Sequence, residues 1–309
     1  MINYNNLLKQ IEQNVKKIPG GNLASYIPEL NNVDPNLFAM AIVTVEGEIF
    51  STGNTDALFT IQSTSKPFTY AYVLDQLGEA YVHSKIGVEP SGEAFNSIIE
   101  LEKKTHRPFN PMINSGAIAV ANMIQNGHPD RSEQLLNLFS QLAGRKLTYD
   151  LEVFLSEKNT AHRNRAIAHL LRHFEVIGDD IEASLDLYFK QCSIKTNIVD
   201  LAFMAATLAN SGLQPKTQER IYQSANIAKT LSLIFTCGMY DTAGTWAYSV
   251  GIPAKSGVSG AIFGVIPGKF GIACYSPLID DHGHSVKGVA AIKEFSSQLK
   301  LNLFSNNLR

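Results

Sequence analysis

Hydrophobic and polar positions follow two different periods along this chain. Near the N-terminus apolar residues recur at Leu7, Leu8, Ile11, Val15 and Ile18, the spacing of one helix face. Pro19-Gly20-Gly21 ends that run. Phe38 to Val45 and Glu48 to Ser51, joined by Glu46-Gly47, carry the pattern of a β-hairpin. Leu58 to Ile61 supplies a third short strand. The helical period then takes over, with helices expected at Lys66–Leu77, Ser115–Asn126, Arg131–Ala143, Thr148–Lys158, Asn164–Phe174, Ile181–Cys192, Ile198–Ser211 and Gln218–Cys237. Strand patterns return at Tyr248–Ile252, Gly260–Val265 and Gly271–Tyr275, before a last amphipathic helix from about Val286 to Phe304.

Strands, a long helical block, then strands and a terminal helix predict an α+β fold. The expected architecture is an antiparallel sheet flanked by helices, its strands drawn from both ends of the chain, with a helical subdomain inserted between them. The sheet part falls at about residues 20–65 and 240–309, the helical part at about 66–239, within one domain spanning 1–309. No repeat, low-complexity run or linker divides it.

Composition narrows the partners. The formal charge is 26 − 28 = −2, so there is no basic footprint for nucleic acid. The longest strongly apolar run, Phe38 to Val45, is far too short to span a membrane. Met1 to Gly21 lacks the apolar centre of a secretion signal. Cys192, Cys237 and Cys274 are far apart and form no CxxC pair. They read as core thiols in a reducing cytoplasm. There is no HExxH, and Asp280-Asp281-His282-Gly283-His284 reads as a polar loop before the last helix rather than a metal site. Nothing in the chain calls for a metal or a cofactor.

The stretch with the most chemistry is Phe59-Thr60-Ile61-Gln62-Ser63-Thr64-Ser65-Lys66-Pro67-Phe68. It runs from an extended segment into a helix start, and Pro67 falls where a missing N–H costs little. Ser63 and Lys66 at i, i+3 share a helix face. A lysine buried there loses basicity through desolvation and the helix dipole, and can take a serine proton. By itself the pair is more often a capping serine and a solvated lysine. A later Lys255-Ser256-Gly257 after a strand adds weight, because Ser-x-x-Lys followed by Lys-Thr-Gly marks serine acyl-enzymes of the β-lactamase type.

Other stretches carry two readings each. Asn114, before an apolar helical run, either caps that helix or reaches into a pocket. Glu157 is either a solvated surface acid or the receiver of a ligand ammonium. Tyr188 lies on an apolar stripe and reads as core. Gly238 is a natural helix C-cap, which leaves Tyr240 on a turn.

Taken together, these stretches resemble the serine-dependent glutaminases, over nearly the whole chain. The matching runs are Tyr26-Ile27-Pro28-Glu29-Leu30, Gln62-Ser63-x-Ser65-Lys66, Gly87-Val88-Glu89-Pro90-Ser91-Gly92, Phe95-Asn96-Ser97, Asn110-Pro111-x-Ile113-Asn114-x-Gly116-Ala117-Ile118, Ser156-Glu157, Arg163-Asn164, Asp186-Leu187-Tyr188, Thr236-Cys237-Gly238-Met239-Tyr240-Asp241 and Lys255-Ser256-Gly257-Val258. The resemblance implies a β-lactamase-like fold, the hydrolysis of L-glutamine to L-glutamate and ammonia, and a homotetramer. It implies Ser63 as nucleophile, Lys66 as general base and Tyr240 as a partner in proton transfer. The backbone N–H groups of Ser63 and Val258 become the oxyanion hole. Glu157 becomes the ligand of the substrate ammonium, and Tyr26, Gln62, Asn114, Asn164 and Tyr188 the polar groups around the rest of the substrate. Gly257-Val258-Ser259-Gly260-Ala261 departs from a more glycine-rich family run, and its extra Cβ atoms are expected to tighten that turn. Two alternatives remain: another serine acyl-enzyme of the same fold, and a glutamine-binding protein without catalysis.

Overall fold

A computed structural model describes residues 2–25, 27–92, 97–102, 105–124 and 130–305. Its strands are β1 (Ala39–Thr44), β2 (Ile49–Gly53), β3 (Phe59–Thr60), β4 (Thr148–Tyr149), β5 (Ile194–Thr196), β6 (Ala254–Ser256), β7 (Ala261–Ile266) and β8 (Phe270–Tyr275). Its helices are α1 (Tyr4–Val15), α2 (Lys66–Leu77), α3 (Glu79–Lys85), α4 (Asn114–Met123), α5 (Arg131–Ala143), α6 (Leu151–Thr160), α7 (His162–His173), α8 (Ile181–Cys192), α9 (Ile198–Ala209), α10 (Ser224–Cys237), α11 (Ala243–Ser249) and α12 (Val286–Leu299).

Five strands form one antiparallel sheet in the order β2-β1-β8-β7-β6. The hairpin from the start of the chain and the three late strands therefore share a sheet, as the sequence predicts. Strand alternation sends two sets of side chains to opposite faces. Ala39, Ala41, Val43, Ala261, Phe263, Val265, Ala273 and Tyr275 join the core beneath the helical block. Met40, Ile42, Ile262, Ile272 and Cys274 join Leu8, Ile11, Val15, Ile292 and Phe295 of α1 and α12. Helix α9, almost wholly buried, lies along the inner face. It comes close because Gly271 has no side chain: a Cβ there would sit 2.2 Å from the Ala206 nitrogen. Among the described residues no helix is long and apolar enough to cross a membrane.

Several expected elements move. Tyr248–Ile252 is not a strand; α11 occupies Ala243–Ser249 and β6 begins at Ala254. The reason is the burial of Ala243, Trp246 and Val250 at helical spacing against the outer core, with the Trp246 indole donating to Ile252 O at 2.8 Å. Helix α6 starts at Leu151 because Asp150 caps it, accepting from Val153 N at 3.2 Å; Thr148–Tyr149 is instead β4 of a small β3-β5-β4 sheet. Helix α10 starts at Ser224 because the Gln214 side chain closes a turn on the N–H groups of Lys216 and Thr217. Helix α12 stops at Leu299, followed by a left-handed Lys300 (φ +54°). The expected end of the helix after Ser115 lies outside the described residues.

Candidate active site

The site forms where the helical block meets the sheet edge. Gln62–Ser65 is a 3-10 turn that feeds directly into α2 at Lys66. Ser63 is therefore in the turn and Lys66 in the first helical position, both buried. Gln62 holds φ at +46°, and Thr64 and Ser65 fasten the turn, Ser65 Oγ donating to Gln62 O at 2.6 Å and accepting from Gln191 Nε2 at 2.8 Å. A non-glycine residue at positive φ is held only by surroundings that over-determine it.

Lys66 is turned inward. Its Nζ donates to Asn114 Oδ1 at 2.8 Å and to Met112 O at 3.3 Å. Burial pulls its basicity down to about 8, against the opposing pull of Glu157. Asn114 does not cap its helix. Ile113 is the N-cap residue, and no side-chain cap bond is made. The Asn114 amide instead donates to Asn164 Oδ1 at 3.0 Å, while its oxygen also accepts from Tyr188 O–H at 3.2 Å. One asparagine thus joins the lysine, a tyrosine and a second asparagine, each delivered by a different helix.

Glu157 is buried rather than solvated. Desolvation raises its carboxyl to about 8, while Lys66 and a hydrogen bond with Gln62 pull the other way. Its Oε2 is buried without a hydrogen-bond partner among the described residues. An orphaned acceptor in a buried site is costly unless a donor arrives.

Tyr240 opens a second 3-10 turn, Tyr240–Thr242, at φ +52°. Its phenol is raised above the ordinary value by burial, with the nearby Ser63 acting in the other direction. Gly238, just before, ends α10 without a left-handed φ. It is glycine for a different reason than the expected cap, since a Cβ would fall 1.9 Å from Ala254 O. The Lys255 Nζ sits 3.8 Å from the Tyr240 ring centroid and donates to Ser256 O at 2.7 Å. Burial holds this second lysine well below its usual basicity.

The turn after β6 lies against the Ser63 turn: a Cβ on Gly257 would be 3.3 Å from Thr64 N and 3.4 Å from Ile61 O. Gly257 N donates to Ala261 O and Gly260 N to Gly257 O. The Val258 N–H makes no hydrogen bond among the described residues. Val258 itself packs with Ala24, Ile27, Leu30 and Val153. The departures from the glycine-rich run leave glycine at position 260, where φ is +92° and a Cβ would meet Ser276 O at 2.3 Å. Tyr26 lies outside the described residues.

Ser63, Lys66, Gln62, Asn114, Glu157, Asn164, Tyr188, Tyr240 and the Val258 turn thus converge from separate elements. Sequence reasoning gave no role to two neighbours. Lys255 was legible only as part of Lys-Ser-Gly. Cys192, whose thiol is within electrostatic reach of Lys66 and Glu157, carries no sequence signal beyond its place on the α8 stripe. Among the described residues no group of His, Cys, Asp or Glu is arranged to hold a metal ion.

Comparison with known proteins gives a consistent set. The glutaminase family profile matches residues 21–304. A glutaminase of Trichormus variabilis is 48% identical over 299 residues, covering 96% of this chain and 89% of that one. A glutaminase of Clostridium botulinum is 44% identical over 306 residues, covering 97% and 100%. Among solved structures, a probable glutaminase, ybaS, superposes with TM-score 0.95 at 39% identity and 98% coverage of both chains. Mglu in its glutamate form superposes with TM-score 0.93 at 40% identity, over 98% of this chain and 70% of that one.

Proposed function

The chain belongs to the glutaminase family, and we propose that it hydrolyses L-glutamine to L-glutamate and ammonia through an acyl-enzyme on Ser63. The observation that carries this reading is the placement of a buried, weakened lysine one turn after a buried serine, with Asn114 holding the lysine and the Tyr240 phenol close enough to Ser63 to feel it. Ser63 Oγ attacks the side-chain amide carbon and its proton passes to Lys66 Nζ, which must be neutral to accept it. The developing oxyanion is met by the backbone N–H groups of Ser63 and Val258. The C–N bond then breaks, and the leaving nitrogen takes a proton through Tyr240 and departs as ammonia. Water attacks the Ser63 ester by the reverse route, which frees L-glutamate and returns the proton to the serine.

Glu157 supplies the ammonium partner, the orphaned Oε2 being the acceptor that the substrate completes. Tyr26, Gln62, Asn114, Asn164 and Tyr188 hold the remaining polar groups. Neutral amide and phenol donors receive the substrate carboxylate without a permanent cation. No cofactor takes part in this scheme. On the family resemblance we assign a homotetramer, acting in the cytoplasm; light scattering of the purified protein is the measurement of its assembly.

The test is coupled ammonia detection with L-glutamine, D-glutamine and L-asparagine side by side. L-Glutamine should be turned over in clear preference to the other two. Hydrolysis of a chromogenic β-lactam with no ammonia from glutamine would overturn the reading in favour of another serine acyl-enzyme.

A further inference from the structure

His284 is buried, at 2% exposure, although it lies in a polar loop. It ends the Asp280–His284 loop, held there by its own N–H to Asp280 Oδ1 at 2.9 Å and by Asp280 N to His284 O at 2.8 Å. Both ring nitrogens are engaged. Nδ1 is 2.8 Å from Ser256 Oγ and Nε2 is 2.9 Å from Thr242 Oγ1. The ring also lies parallel to Tyr240, 9° between planes and 5.8 Å between centroids.

The pattern fixes the tautomer. Thr242 spends its one hydroxyl proton on Met239 O at 2.7 Å, so towards His284 it accepts. Nε2 therefore carries the ring proton, and Nδ1 accepts the hydroxyl proton of Ser256. A doubly protonated ring would set an N–H against the Ser256 hydroxyl proton and force it to turn away. Burial favours the uncharged ring in the same direction, bringing its basicity down to about 4, as do the neighbouring Lys255 and His282, while Asp280 and Asp241 oppose them.

The two partners matter for where they sit. Thr242 closes the 3-10 turn that Tyr240 opens at φ +52°. Ser256 follows Lys255 on β6, and its carbonyl accepts a hydrogen from the Lys255 Nζ. We infer that His284 is a positioning residue for Tyr240: one imidazole ties the strained turn that carries the phenol to the strand that carries Lys255, and so holds the phenol against Ser63. The inference rests on the assignment of Tyr240 to proton transfer at Ser63. It touches neither substrate nor the reacting atoms.

Two variants and one spectrum test it. In His284→Phe the ring remains and both hydrogen bonds are lost; kcat for ammonia release should fall by about 10–100-fold, the range for a displaced catalytic group, with KM for L-glutamine within about twofold of wild type. In His284→Gln the amide offers one donor and one acceptor, and most of the lost kcat should return. Wild-type kcat in His284→Phe, or a change confined to KM, would overturn the inference while leaving Ser63 chemistry intact. Nitrogen NMR of the wild-type rings at neutral pH reads the tautomer without any turnover. A neutral His284 protonated at Nε2 is expected; protonation at Nδ1, or a charged ring, would contradict it even if a variant failed to fold or the glutaminase reading itself failed.

Discussion

Lys66 and Glu157 illustrate how a few residues set the pH behaviour. Both are buried, and burial moves each towards its neutral form, the lysine down to about 8 and the glutamate up to about 8. They share a field, so their protons leave in two steps that belong to the pair rather than to either residue. The reactive form needs the amine neutral and the carboxylate charged, which is at least one proton fewer than the pair holds at pH 6. Activity therefore gains with rising pH: kcat/KM for L-glutamine should rise by at least about tenfold between pH 6 and pH 7 and level off only above about pH 9. A profile flat from pH 6 to pH 9 would detach Lys66 from the proton transfer. Spacing made Ser63 and Lys66 legible in the sequence, because a helix turns i and i+3 to one side. Glu157 and Asn114 were legible only as matches to a family pattern. Their local sequence allows a surface acid and a helix cap; what decides against both is the burial of Glu157 and the bonds of Asn114 to Lys66, Asn164 and Tyr188. His284 reads in the sequence as part of a polar loop, since no local pattern shows that a loop folds inward.

At the scale of elements, close contacts position the catalytic groups. Gly116, two residues after Asn114, lies where a Cβ would be 2.0 Å from Asn110 O. Gly116→Ala must push the start of α4 away and move Asn114 off Lys66. A loss of about 1–3 kcal/mol in denaturant unfolding is expected, together with lower activity. Gly244, in α11 with nothing within 4 Å of its Cβ position, is the contrast: Gly244→Ala should stay within about 1 kcal/mol of wild type. Equal stability of the two variants would remove steric contact as the reason for glycine at 116. Long periodic helices such as Lys66–Leu77, Arg131–Ala143 and Ile181–Cys192 were readable to the residue. The errors fell where a side chain from elsewhere set the boundary: Trp246 turning a strand-like run into α11, Asp150 delaying α6, and Gln214 holding the chain in a turn before α10. The two- and three-residue strands of the small sheet are too short to leave a period.

At the scale of the molecule, the main sheet divides two cores, one shared with the helical block and one with α1, α11 and α12. Both depend on the same strands, so we propose that the chain unfolds as one cooperative unit. The single tryptophan, Trp246, is buried in the outer core, whereas far-UV circular dichroism reports chiefly the helical block. The two signals should give coincident denaturant midpoints; separated transitions would mean that the helical subdomain is stable apart from the sheet.

Everything proposed for the chemistry turns on Ser63 as the nucleophile. Its most direct test is the Ser63→Ala variant, assayed for ammonia release from L-glutamine and, on the same preparation, for L-glutamine binding by calorimetry. No detectable ammonia is expected, with binding retained, because Glu157 and the asparagine and tyrosine groups are untouched. Ammonia release at the wild-type rate from Ser63→Ala would contradict it.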